Sequence, residues 1–316
     1  MIYIRESYFG GAQSRIAEMV KMPGGELHPQ LGELDGDSYT LIADTRSSED
    51  LFAILVTHNA IKRNCPGAVI DLRIGYVPYA RQDRVANEGE ALSIEAMADF
   101  LNMMNFRKVE ISDPHSDVTP ALIKNVKVRT QVEILRKWLV HVDQGGESGY
   151  QSFKINPTEW VLVAPDAGAI KKTDKIAKEL GFSGIVYMDK ERDTQTGKIT
   201  RTFPRLYVEN GKHTPVSEIA GKKLLVVDDI CDGGYTFIQL ADALKEFAPE
   251  KLDLFVTHGI FSKGTDCLLE AGYNRILTTN AYRLDSWNVD QFLGSSKDVE
   301  EVEASRVIRF RDIQSI

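Results

Sequence analysis

The sequence predicts an α/β fold of two tandem domains, each with a mostly parallel sheet flanked by helices. Three observations predict it. Short apolar runs rich in β-branched residues recur along the chain, as expected of parallel strands buried on both faces. The stretches between them carry apolar residues at spacings of three and four, the helical period. The length, 316 residues, is about twice that of an ordinary single domain.

The first run, Tyr39 to Ala43, ends at Asp44. The next, Ile74-Gly75-Tyr76-Val77, leads into Pro78-Tyr79-Ala80-Arg81, and Val109-Glu110-Ile111 stands before Asp113. In the second half, Val161 to Ala164 precedes Asp166, Ile185 to Met188 precedes Asp189, and Leu224 to Val227 runs into Asp228 and Asp229. Two later runs end near Thr257-His258 and Thr278-Thr279-Asn280. Ile94, Met97, Leu101 and Met104 predict one helix and Phe237, Leu240, Leu244 and Phe247 another; Gly181 after Leu180 is a plausible C-cap. Alternating strands and helices imply right-handed crossovers, with ligands beyond the carboxyl ends of the strands. Those ends repeatedly carry Asp, His, Arg, Lys and Thr.

A faint internal repeat supports two domains. Asn105 to Val109, ending at Asp113, resembles Gly181 to Ile185, ending at Asp189, 76 positions later. The polar stretch 141–153 reads as a domain linker and 193–198 as a mobile loop. The expected domains are therefore 1–145 and 146–301.

Composition narrows the function classes. Acidic residues outnumber basic ones 46 to 38, for a net charge of −8, which disfavours a nucleic-acid binder. No segment approaches the roughly 20 consecutive apolar residues of a membrane span, and charges at Arg5, Glu6, Arg15 and Glu18 stand where a signal peptide needs an apolar core. The three cysteines, Cys65, Cys231 and Cys267, have no metal-ligand spacing. A reduced, cytoplasmic setting is expected.

The strongest local signal is Leu224 to Phe237, LLVVDDICDGGYTF. A buried strand delivers the adjacent carboxylates Asp228 and Asp229, followed by Asp232, Gly233 and Gly234, and a helix opens near Thr236. Glycines let successive N–H groups converge on an anion, and a helix N-terminus favours negative charge. The carboxylates would repel that anion but suit vicinal sugar hydroxyls. A ribose with a 5′-phosphate satisfies both halves; an acidic, glycine-rich turn without a ligand is the alternative for this segment on its own.

This segment resembles the sugar-phosphate loop of type I phosphoribosyltransferases. With Pro78 to Arg84, Asp113 to Asp117, Pro165 to Gly168, Asp189 to Arg192, Thr257-His258-Gly259 and Thr278-Thr279-Asn280 in order, nearly the whole chain resembles the ribose-phosphate diphosphokinases. The resemblance implies two tandem phosphoribosyltransferase-like domains, with 302–316 rejoining the first. It also implies transfer of the β,γ-diphosphoryl group of MgATP to the anomeric hydroxyl of ribose 5-phosphate, giving phosphoribosyl pyrophosphate and AMP. It implies a homo-oligomer, a hexamer or another dimer-based assembly, with Mg²⁺ accompanying ATP.

Residue by residue, the resemblance makes Lys190, Arg192 and His115 catalytic, the first two closing over the phosphates; without it, Lys190 and Arg192 read as a solvated pair. Arg81, Gln82, Glu26 and His115 would contact ATP. Asp166 and Gly168 would form a diphosphate loop, with His115 and Asp166 near the metal. Asp228, Asp229, Asp232, Gly233, Gly234, Tyr235 and Thr236 would hold the ribose phosphate. Two departures stand out. The family's Phe-x-Asp-Gly-Glu segment reads Met22-Pro23-Gly24-Gly25-Glu26, and its Thr-Gly-Gly-Thr loop reads Gly233-Gly234-Tyr235-Thr236. The second leaves open a 5′-substituted acceptor such as ADP-ribose. A phosphoribosyltransferase proper or a non-catalytic regulatory relative are the readings from other classes.

Overall fold

The computed structural model describes residues 1–8, 11–138, 155–192, 199–282, 299–302 and 307–310. The expected linker at 141–153, the loop at 193–198 and most of the 302–316 return lie outside them, as does the side chain of Arg192. The chain divides into two compact units.

The first unit holds Met1–Thr130 and, among the described residues further on, 280–282. Its strands are β1 (Ile2–Tyr8), β2 (Gly11–Ile16), β3 (Glu18–Lys21), β4 (Leu27–Gln30), β5 (Ser38–Ala43), β6 (Val69–Ile74), β7 (Lys108–Ser112) and β8 (Val126–Arg129). Its helices are α1 (Ser48–Asn64), α2 (Ser93–Asn102) and α3 (Val118–Leu122). The main sheet runs β2-β1-β5-β6-β7-β8, parallel from β5 to β8 and antiparallel at β1; β3 and β4 pair separately. A reciprocal Ser47–Asp50 capping box opens α1, a device worth about 1 kcal/mol.

The strand expected at Ile74 to Val77 lies earlier, at Val69–Ile74. Its charged residues hide it from a hydropathy reading. Asp71 and Arg73 are buried, Asp71 accepting two hydrogen bonds from Arg107 at 2.9 and 2.7 Å and Arg73 lying 3.9 Å from Glu110.

The second unit begins with α4 (Gln131–Trp138) and continues through β9 (Trp160–Ala164), α5 (Ile170–Leu180), β10 (Gly184–Arg192), β11 (Ile199–Glu209), β12 (Lys212–Thr214) and β13 (Lys223–Cys231). It ends with α6 (Tyr235–Lys245), β14 (Lys251–Gly259), α7 (Asp266–Ala271), β15 (Arg275–Thr279), β16 (Val299–Val302) and β17 (Val307–Phe310). The sheet order is β12-β11-β10-β9-β13-β14-β15-β17-β16, parallel from β10 to β17. Alternate residues enter different cores: Val161, Val163, Leu224, Val226, Leu254 and Val256 pack on one face, and Leu162, Leu225, Val227 and Phe255 on the other. Such two-sided burial is why these strands read as unbroken apolar runs.

The units change at Thr130/Gln131, not at the expected 145/146. Val132, Ile134 and Leu135 of α4 are buried in one cluster with Leu162 and Ile176, so this helix is committed to the second core before the polar stretch begins. Likewise β16 and β17 extend the second sheet, whereas 302–316 was expected in the first domain. The repeat falls on corresponding places: Asn105 before β7 and Gly181 before β10 both adopt left-handed backbone, at φ 51° and 83°, and Gly181 is the C-cap of α5.

Candidate active site

In the second unit, β13 does not stop short of its two acids but carries Asp228 and Asp229 within it and ends at Cys231. Asp229 is buried and its N–H donates to Asp228 Oδ1 at 2.9 Å. Burial, and then the charge of Asp229 beside it, push the Asp228 carboxyl well above the usual carboxylate range. Ionising both acids together is therefore unfavourable, a cost that hydroxyl donors or a cation would relieve. Beneath it, the buried Gln131 donates from Nε2 to the Asp228 carbonyl at 2.6 Å and to Thr257 Oγ1 at 3.3 Å. This contact has no sequence signature.

The loop after β13 is a backbone cradle. Gly234 sits at φ 78° as the N-cap of α6, which has no side-chain cap. A Cβ there would approach Leu268 Cδ2 to 3.1 Å, so both conformation and packing require glycine. Gly233 differs: its backbone is not left-handed, and a Cβ would meet only Lys263 Cδ and Cε at 3.7 Å and Ser262 Oγ at 3.8 Å. Among the described residues no protein atom demands a glycine at that position, which leaves its N–H open to close approach. Asp232 Oδ1 accepts from Ser262 Oγ at 2.7 Å, fastening this loop to the segment after β14. Thr236 is half-buried, while Tyr235 is 60% exposed.

Asp166 follows β9. Its Oδ2 accepts from Lys190 Nζ at 3.0 Å, and its Oδ1 accepts from the N–H groups of Gly168 at 3.0 Å and Ala169 at 3.2 Å. The Gly168 amide, expected to be free for a diphosphate, is thus turned onto the Asp166 carboxylate. Lys190 also differs from expectation. It lies inside β10, opposite Thr202 of β11, with only 9% of its side chain exposed. It is a held ammonium, not one on a loose segment. Arg192 ends the same strand, opposite Ile199.

The expected nucleotide residues gather in the first unit. Arg81 and Gln82 are exposed after β6, and His115 is exposed after β7. Asp83 links the two segments. Its carboxyl is held below the usual range by the Arg84 hydrogen bond first, with further help from a hydrogen bond to Ser116 and the charge of His115. Glu26 is exposed beside the β3–β4 turn, where Gly25 N–H donates to the Met22 carbonyl at 2.8 Å. A Cβ on Gly24 would lie 2.6 Å from Glu26 Oε2, the far end of an exposed side chain that is free to turn aside.

His115 belongs to the first unit and Asp166 to the second, each described within its own unit. Among the described residues no group of three or more His, Cys, Asp or Glu is arranged to hold a metal. In the second unit, Asp166 suits Mg²⁺ only in its commonest form, an ion held mainly by phosphates and water with one or two carboxylates. Cys231 is buried and its thiol is pushed up to about 12 by burial first, so it contributes packing beside the acids.

Residues 141–288 match the phosphoribosyl transferase domain family. The chain is 28% identical to the ribose-phosphate pyrophosphokinase of Pyrococcus furiosus over 270 residues, 83% of this chain and 85% of that protein. It is 26% identical over 304 residues to the protein of the same name from Sulfurisphaera tokodaii, covering 90% and 94%. Among solved structures, phosphoribosylpyrophosphate synthetase from Mycobacterium smegmatis matches with a TM-score of 0.65 at 21% identity, covering 85% of this chain and 81% of that one, a likeness of fold.

Proposed function

We propose, from its likeness to the ribose-phosphate pyrophosphokinases, that the chain is a diphosphotransferase of that family. Its donor is ATP and its acceptor is the anomeric hydroxyl of ribose 5-phosphate. A bond forms between the anomeric oxygen and the β-phosphorus, and the bond from that phosphorus to the α,β-bridging oxygen breaks. AMP departs with that oxygen, and the hydroxyl proton passes to solvent. The products are phosphoribosyl pyrophosphate and AMP.

The observation that carries the reading is the junction of β13 and α6: two adjacent acids, one raised by burial, followed by a glycine whose lack of a side chain no protein contact requires. Asp228 and Asp229 accept hydrogen bonds from the ribose hydroxyls, orienting the anomeric oxygen. Gly233, Gly234 and the first turn of α6 bind the 5′-phosphate through N–H groups. Lys190, pre-held by Asp166 at 3.0 Å, offers its charge to the migrating diphosphoryl group, where catalysis is mostly alignment and charge stabilisation. Arg81, Gln82 and His115 contact the nucleotide, and Glu26 joins them. Magnesium, when bound, neutralises phosphate oxygens; Asp166 is the carboxylate of the second unit suited to approach it.

Incubating the protein with MgATP and ribose 5-phosphate and separating the nucleotides tests this. AMP and phosphoribosyl pyrophosphate in equal amounts are expected. ATP left intact with every ribosyl acceptor would leave the reading of a regulatory, non-catalytic relative.

A further inference from the structure

The segment after β14 carries a feature that binding a phosphate monoester does not use. Phe261 has left-handed backbone, φ 48°, unusual for a bulky side chain. Gly259 makes room for its ring: a Cβ there would lie 2.2 Å from Phe261 Cε2. The turn closes with Gly264 N–H donating to the Phe261 carbonyl at 2.8 Å. Ser262 then ties it to Asp232 twice, N–H to the carbonyl at 3.2 Å and hydroxyl to Oδ1 at 2.7 Å. The exposed Lys263 stands within this fastened, strained turn, and its methylenes border the space above Gly233.

Tyr235 stands at the first position of α6 in the same loop. Its hydroxyl accepts from Gln239 Nε2 at 2.9 Å, and Gln239 Oε1 faces Thr202 Oγ1 at 3.5 Å. The ring is 60% exposed although its far end is tethered. A terminal phosphate dianion needs neither an aromatic face nor a cation beyond the amide cradle.

We propose that Lys263 and Tyr235 are specificity-determining residues of the acceptor site, forming an outer wall for a ribose whose 5′-phosphate continues into a second phosphate and an aromatic base. Lys263 pairs with the outer phosphate and Tyr235 lies against the base. This rests on the diphosphotransfer reading above, and the transferred bonds are the same.

The test compares ribose 5-phosphate with ADP-ribose as acceptors, by AMP release with MgATP, alongside calorimetric titration of ADP-ribose into the Mg²⁺-supplied protein. ADP-ribose should be turned over with a kcat/KM at least equal to that of ribose 5-phosphate. Tyr235→Ala and Lys263→Ala should each lower the ADP-ribose to ribose 5-phosphate ratio by about tenfold, the scale of one lost base stack or charge-assisted contact. Tyr235→Phe and Lys263→Arg should preserve it. Turnover of ribose 5-phosphate but not ADP-ribose would overturn the proposal, as would a ratio unmoved by both alanine variants. If neither acceptor yields AMP but ADP-ribose binds and loses at least tenfold affinity in both alanine variants, the transfer reading fails and this one stands; binding indifferent to both overturns it.

Discussion

Gly233→Ala separates a loop built for a ligand from a loop that is merely tight. The added methyl meets Lys263 and Ser262 at 3.7 and 3.8 Å, ordinary contact distances, and the backbone is not left-handed. Folding should therefore suffer nothing and gain up to about 1 kcal/mol, because alanine restricts the unfolded chain more than glycine does. For a unit of this size that is a melting temperature unchanged or raised by about 2–4 °C. The bound acceptor is another matter. A methyl over the cradle holds the phosphate off the amides, and each charge-assisted hydrogen bond lost costs about 1.5–3 kcal/mol. Losing one should cut kcat/KM for the acceptor by about 10- to 100-fold, with KM for ATP little changed. Thermal unfolding and initial rates of AMP formation measure the two sides. An unchanged acceptor KM, or a melting point that drops by several degrees, would refute the assignment of Gly233 to the ligand.

Gly234→Ala should behave oppositely in folding, with left-handed alanine costing about 1–2 kcal/mol before the 3.1 Å approach to Leu268 is added; a melting point lowered by less than about 2 °C would contradict it. Lys190→Met keeps the packed stem and removes the charge. It should lower kcat by about 10²–10³ with a much smaller change in ATP affinity, and equal losses in both would remove Lys190 from the transition state. Asp228→Asn should stabilise the ligand-free protein at neutral pH. Because the native carboxyl titrates above its unfolded value, the folded state binds more protons and loses stability as pH rises from about 4. The melting-point advantage of the variant should open above that pH and vanish below it, and a pH-independent difference would argue against burial as the cause.

What the sequence disclosed followed how completely each strand is buried. β9, β13 and β14 are covered on both faces and declare themselves as apolar runs, so their carboxyl ends, and with them Asp166, Asp228 and Asp229, were found. β1 buries Ile2, Tyr3 and Ile4 in succession but continues through the charged Arg5 and Glu6. Glu6 is buried because Tyr39 Oη and the Gly36 N–H donate to it, both at 2.7 Å, and such partners are distant in sequence. The β10–β11 pairing was missed for a related reason: Lys190, Glu191 and Arg192 have no apolar alternation, and cross-strand hydrogen bonds alone extend the strand. Lys263 gave no signal, since a lysine in a polar turn is commonplace until the turn is seen to be strained and fastened. The unit boundary was misjudged because 141–153 is conspicuously polar, while the three apolar residues that commit α4 are not conspicuous at all.

The grip of Gln131 on the Asp228 carbonyl has a mechanical corollary. The chain enters its second unit at the very residue whose side chain anchors the acid pair's backbone. Gln131→Leu would withdraw this donor and leave the backbone beneath the acids less firmly set, while every carboxylate stays in the sequence.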